Sequence, residues 1–290
     1  MILPPILQRW RCQIMLPDPQ YTALPLDFWA CVRTLSQRIG YTVRGEGRVR
    51  VPTIDEIEAA FDDLGLDPAV LSRTRSGASV GNQLCSYYEH RAGVLNDVVE
   101  PLLMNATEAK RHFRRLKKQL RPTCPLPMNK QKKEKRAEAY LTCIVNMLIE
   151  AHANGATCDY DPRQLTSFTR KGLPVRTLSR RVDGAFPSVL NPTAVWEIKE
   201  YYYTTTFGSR VADGVYETLL DGMELEELRA SQGVHVSHYL IVDDHYTWWT
   251  CGKSYLCRLI DMLHMGYVDE VLFGREVLTR VPELVATWVT

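Results

Sequence analysis

Three residues of the stretch Arg180-Arg-Val-Asp183-Gly…Ala194-Val-Trp-Glu197-Ile-Lys199 have the types and spacing to do chemistry. Residues two apart on a strand share a face, so Glu197 and Lys199 point one way while Trp196 and Ile198 point the other. Val195, Trp196 and Ile198 are apolar, which predicts a central strand. A carboxylate and an ammonium are costly to bury side by side, so a fold that buries both has a use for the charges. Asp183 lies near the end of the strand before it. The link 187–192 is short enough for the two strands to pair, which would bring Asp183 near Glu197. Two close carboxylates repel each other and attract a hard divalent ion. Such an ion activates water and offsets phosphate charge, and a neighbouring ammonium orients or deprotonates that water. These are the groups that hydrolysis of a phosphodiester calls for.

To hold them, the chain needs a sheet with helices around it. Hydrophobic periodicity predicts a long helix over 132–153, stopped at Asn154-Gly155. Strands follow over 175–186 and 193–203, then a helix over 210–229 and a strand over 235–243. A short strand at 248–250, a helix at 254–265, a strand at 268–273 and a last helix at 282–289 complete the pattern. This is an α/β arrangement with a mixed central sheet flanked by helices. The preceding part reads as mainly helical: 26–39, a helix opened by the capping box Thr53…Glu56, a short helix from Pro68, a helical stretch over 82–103, and Ala106–Leu120. A hairpin is predicted over 41–51. Pro122, Pro125 and Pro127 break the chain. The expected division is therefore a recognition region, 1–125, and a core, 126–290.

The formal net charge is +1, but residues 106–136 alone carry +10, leaving −9 for the remainder. That split suits a polyanion-binding surface, with Arg114, Arg115, Lys117 and Lys118 as candidate contacts; the alternative is a solvated helix face. Arg180 and Arg181 flank Asp183 and are candidate phosphate contacts. The loop entering the next helix adds Thr205, Ser209 and Arg210, with plain capping by Ser209 as the alternative. Tyr201, Tyr202 and Tyr203 read as packing residues. The eight cysteines form no CxxC pair and read as reduced thiols; the alternative is a zinc site from His245, Cys251, Cys257 and His264. No P-loop or HExxH is present. No apolar run is long enough to span a membrane, and the first residues lack the order of a secretory signal. The expected setting is cytoplasmic.

Asp183 followed after thirteen residues by Glu197-Ile-Lys199, within this order of elements, resembles the PD-(D/E)xK nuclease superfamily, which includes many restriction endonucleases. The resemblance covers roughly residue 132 to the C-terminus. It implies a restriction-endonuclease-like core and Mg²⁺, with Mn²⁺ as a substitute, at Asp183, Glu197 and the backbone carbonyl of Ile198. It also implies Lys199 beside the attacking water and double-stranded DNA as substrate. Val182 stands where many members have proline. Members often carry a further Glu on the preceding helix; Glu138 is the first candidate and Glu134 the second. Cutting both strands of a duplex suggests a homodimer. The alternatives are a repair or transposition nuclease of the same fold, and a non-catalytic DNA-binding protein.

Overall fold

The computed structural model describes residues 15–43, 45–75, 77–133, 136–203 and 208–290. Glu134 and Thr205 lie outside the described residues. A mixed five-stranded sheet forms the centre. Its strands are β1 (Asp159–Tyr160), β2 (Gly184–Phe186), β3 (Ala194–Lys199), β4 (Ser237–Val242) and β5 (Glu270–Phe273), side by side in that order. The β1–β2 and β2–β3 pairs are antiparallel, and β3–β4 and β4–β5 are parallel. Helices α4 (Ala106–Leu120), α5 (Tyr140–His152) and α8 (Val277–Trp288) share a core with Trp196, Ile198 and Ile241. On the other face, α6 (Ser209–Gln232) and α7 (Lys253–His264) pack against Leu240, Val242 and Val271. The chain is thus α/β, as predicted. The alternation of β3 also holds: Trp196 and Ile198 fill one core, while Val195 joins Leu225 and Leu228 of α6 in another.

The preceding region is helical: α1 (Leu26–Ile39), α2 (Ile54–Asp63) and α3 (Val80–Gly93). The capping box opens α2, with Thr53 Oγ1 accepting from the Glu56 amide (3.3 Å) and Glu56 Oε2 from the Thr53 amide (2.9 Å). A buried ion pair ties this region to the sheet layers: Arg91 of α3 donates to both Asp261 oxygens at 2.9 and 3.1 Å. Over 41–51 the chain turns back on itself as predicted, but the described residues pair in one antiparallel bridge, Thr42 to Val49, and not in two strands. Among the described residues no helix is long and apolar enough to cross a membrane.

Several predicted boundaries move, the first two for a tertiary reason. Helix α5 begins at Tyr140, not at 132. Its N-cap residue Ala139 has no capping side chain. Instead the Glu200 carboxylate, just past β3, accepts from the Thr142 amide and hydroxyl, both at 3.1 Å. A cap supplied from a distant strand leaves no local signal. The predicted strand 175–186 splits into an outlying strand, Leu173–Thr177, paired with Ser167–Arg170, and β2. Residues 178–183 leave the sheet because Ser179 and Arg180 reach over to α6. The predicted strand at 248–250 is part of a π-helical turn, Tyr246–Cys251. Helix α8 starts at Val277, so Pro282 lies inside it and not in its first turn.

Gly184 sets the spacing of the two strands that carry the candidate site. A Cβ there would lie 2.1 Å from Cζ2 of Trp196, its partner across β2–β3. Trp196 cannot retreat, since it stacks on Trp288 of α8 with ring centroids 5.5 Å apart. Gly184→Ala is expected to lower unfolding stability in urea by about 2 kcal/mol, in the range of an overpacked core; a change near zero would contradict this packing.

Candidate active site

Asp183 sits immediately before β2, and its amide donates to the Trp196 carbonyl (3.1 Å). With Gly184 opposite Trp196, this register sets Asp183 across from Glu197. The Ile198 amide donates to Asp183 Oδ2 (2.8 Å), a backbone-to-side-chain bond that takes over where β2 ends. Groups of one strand residue face the same neighbour. The Ile198 carbonyl therefore faces the Asp183 side, while the Lys199 carbonyl accepts from Asp243 beyond β4 (3.3 Å). The structure thus brings Asp183, Glu197, the Ile198 backbone and Lys199 together.

Glu197 is 3% exposed and Lys199 6%. Lys199 Nζ donates to Glu197 Oε1 (2.5 Å) and to Glu217 Oε2 (2.8 Å). Arg180 donates to both Glu197 oxygens, at 2.9 and 3.1 Å, and to Asp221 Oδ2 at 2.5 Å. Neither Glu217 nor Asp221 was singled out in the sequence. They stand four apart on α6 and so share a face. With Glu224 three residues on, they form an acidic stripe that resembles the solvated face of any acidic helix. Here most of that face is turned inward: Asp221 is 0% exposed, its Oδ1 without a partner, and Glu224 is buried, while Glu217 stays half-exposed. Glu224 fastens the loop before Asp183, accepting from the Ser179 amide (2.9 Å) and hydroxyl (2.7 Å). Gly214 lets α6 approach closely; a Cβ there would lie 3.1 Å from the Lys199 stem.

The electrostatics follow from burial against pairing. Burial, then repulsion from Glu197, pushes Asp183 up to about 7. Burial also pushes Glu197 up, but the Lys199 ammonium and the Arg180 guanidinium outweigh it and hold the carboxyl below its ordinary value. Burial alone would depress Lys199, yet Glu197 and Glu217 hold it above the usual lysine range. Burial pushes Asp221 up to about 7, against the pull of Arg180. The two acids beside it thus favour the ammonium form of Lys199.

The donor set can be tested against a hard divalent ion. Among the described residues no three His, Cys, Asp or Glu side chains are grouped to hold a metal. Mg²⁺, however, is commonly held by one or two carboxylates, with phosphate oxygens and waters completing the shell. Asp183 and Glu197 supply two carboxylates, and the Ile198 carbonyl faces the same side. Burial and mutual repulsion resist full ionisation of the pair, a strain that a bound cation would relieve. The residues fit such an ion, with Arg180 sharing Glu197.

The other candidates are placed as follows. Glu138 lies before α5, not on it, in an extended residue bridged to Met128; the contacts that gather Asp183, Glu197 and Lys199 do not include it. Arg180 is held by carboxylates and not presented to solvent like Arg181, which is exposed. Ser209 is the first residue of α6; the cap is Gly208, and no side chain caps it. Arg210 is exposed, and its carbonyl accepts from the Tyr201 hydroxyl (3.0 Å). Tyr202 and Tyr203 pack against the α5 core and Tyr201 against the α7 core. On α4, Ala109, Phe113 and Leu116 face inward, while Arg114, Arg115, Lys117 and Lys118 are exposed. Among the described residues these four take part in no ion pair. Helix α4 shares the core of Trp196 and Ile198, on the sheet face opposite Glu197 and Lys199. The four residues weighed as a zinc site do not converge: Cys257 is buried, His264 Nε2 meets His90 Nε2 (3.1 Å), and His245 lies beside Glu100 (3.7 Å).

Removing Arg180 would leave Glu197 and Asp221 buried without their counterion. Arg180→Ala is expected to lose about 3 kcal/mol of unfolding stability, as breaking a buried pair does, and Arg181→Ala almost none. Equal effects in the two variants, measured by denaturant titration, would contradict this account.

Residues 104–288 match a family model described as Domain of unknown function (DUF7687), and residues 15–98 match one described as Domain of unknown function (DUF7690). The basic helix α4 falls within the longer match. No curated protein and no solved structure matches the chain. Since the longer match spans more than half of the sequence and contains the whole site, the chain belongs to the DUF7687 family.

Proposed function

We propose that the chain is a Mg²⁺-dependent endonuclease of double-stranded DNA, built on the restriction-endonuclease plan and sequence-specific in its action. The observation that carries this reading is the placement of Asp183 across from Glu197, with Lys199 on the same face of β3. The mixed sheet between helical layers also suits it. Asp183, Glu197 and the Ile198 carbonyl would hold the ion, whose contribution is to acidify water and offset charge on the phosphate. Mn²⁺ would serve in its place. Lys199, fixed as an ammonium by Glu197 and Glu217, orients the attacking water and stabilises charge developing on the phosphoryl oxygens. Arg180 keeps Glu197 ionised and correctly turned, and Asp221 holds Arg180. The exposed cations of α4 give the duplex a phosphate-binding surface on another part of the molecule. A homodimer would present two such sites to the two strands.

One observation favours a second reading. Glu197 is already bonded to Arg180 and Lys199, so the cluster could serve solely to tie α6 to the sheet of a non-catalytic DNA-binding protein. Plasmid cleavage with Mg²⁺ separates the two. Asp183→Ala and Lys199→Ala are expected to reduce cleavage by about a thousandfold or more, with DNA binding largely kept. Full cleavage by either folded variant would sink the assignment. Discrete fragments from the wild type would mark sequence-specific cutting, and a smear would mark a repair or transposition nuclease.

A further inference from the structure

A groove of about 230 Å³ runs between the N-terminal helical region and the α6–α7 layer. Arg33, Gln37 and Tyr41 line one side, and Tyr216, Leu219 and Arg258 the other. Its chemistry departs from that of its surroundings. Arg38, Arg48, Arg50, Arg75 and Arg91 of the same region are each paired with a carboxylate. Among the described residues, Arg33 and Arg258 take part in no ion pair. Arg33 Nη2 meets only the weak acceptor Met265 Sδ (3.5 Å). Arg258 is enclosed by aromatic rings, lying 5.8 Å from the Tyr41 centroid and 5.3 Å from that of Tyr255. Its Nε donates to the Tyr41 hydroxyl (3.4 Å) and its Nη1 to the Tyr216 hydroxyl (3.1 Å). Asp261, at the groove wall, does not neutralise it, because both Asp261 oxygens are taken by Arg91 and one also by Tyr87.

Two guanidiniums without counterions beside tyrosine faces suit a ligand with an anion at one end and an aromatic ring at the other. Guanidinium forks match phosphate geometry, and bases stack on tyrosine at a gain of about 1–3 kcal/mol each. The tyrosine available for stacking is Tyr216, which is 55% exposed. At about 230 Å³ the groove is of a size for one small ligand, and its two walls come from the segments matched by two different family models, a common place for ligand sites. We propose that the groove binds a nucleotide, its phosphate on Arg33 and Arg258 and its base on Tyr216. The same chemistry is offered by a free mononucleotide and by one residue of a single strand. The proposal rests on these groups and not on the nuclease reading.

Calorimetric titration of the full chain with dAMP, inorganic phosphate, deoxyadenosine and a short single-stranded oligonucleotide tests it. Arg33→Gln and Arg258→Gln are expected to weaken dAMP or oligonucleotide binding by about tenfold each, and Tyr216→Ala to weaken both ligands but not phosphate. A loss seen with the oligonucleotide alone identifies a strand as the source; a loss seen with dAMP identifies the free nucleotide. Arg33 is exposed, so Arg33→Gln decides the matter even if Arg258→Gln fails to fold. Binding unchanged in Arg33→Gln, no binding of either ligand, or equal affinity for phosphate and dAMP would overturn the proposal.

Discussion

The candidate site depends on one constraint: Glu197 lies 3% exposed on a strand flanked on both sides, where a bare carboxylate could not stay ionised. Lys199 and Arg180 meet that demand, and each in turn needs further acids, Glu217 for the lysine and Asp221 for the arginine. Pairing therefore spreads from β3 onto α6 and into the loop before Asp183. Among the described residues the acids outnumber the cations: Asp183, Glu197, Glu217 and Asp221 face Arg180 and Lys199. The deficit appears as raised carboxyls at Asp183 and Asp221, both pushed to about 7. Protonation of these carboxyls closes the gap, and the proposed divalent cation would do the same.

The part of the site that lies within one strand was legible in the sequence. Alternation along Ala194–Lys199 is a local property, and it placed Glu197 and Lys199 on one face and Trp196 and Ile198 on the other, as the structure does. The capping box at Thr53 and the limits of the basic helix were local as well, since Asn105 caps α4 at the Glu108 amide (3.0 Å). What comes from packing between elements was not legible. Glu217 and Asp221 share the spacing of an exposed acidic face, and only the approach of α6 to β3, permitted by Gly214, sets them against Lys199 and Arg180. Arg180 read as a phosphate contact because a sequence shows a cation but not its counterions.

The start of α5 failed for the same reason. Residues 132–153 have the composition of one long helix, but the cap that sets its first turn is Glu200, about a third of the domain away in sequence. Glu138 therefore precedes the helix on which the resemblance puts it. The segment 178–183 likewise reads as strand, yet the pull of Glu224 and Asp221 on Ser179 and Arg180 takes it out of the sheet. In each case a carboxyl side chain from another element overrode local propensity. The sequence feature marking such places is a charge within or beside an apolar run.

The central claim is that Asp183 and Glu197 together hold a divalent cation. Titration of Mn²⁺ into the full chain with duplex DNA, followed by electron paramagnetic resonance, tests it without reference to cleavage. The account predicts uptake by the wild type and at least about tenfold weaker uptake by Asp183→Asn and by Glu197→Gln, in keeping with the loss of a ligand. Equal uptake by all three proteins, or none by the wild type, would contradict it.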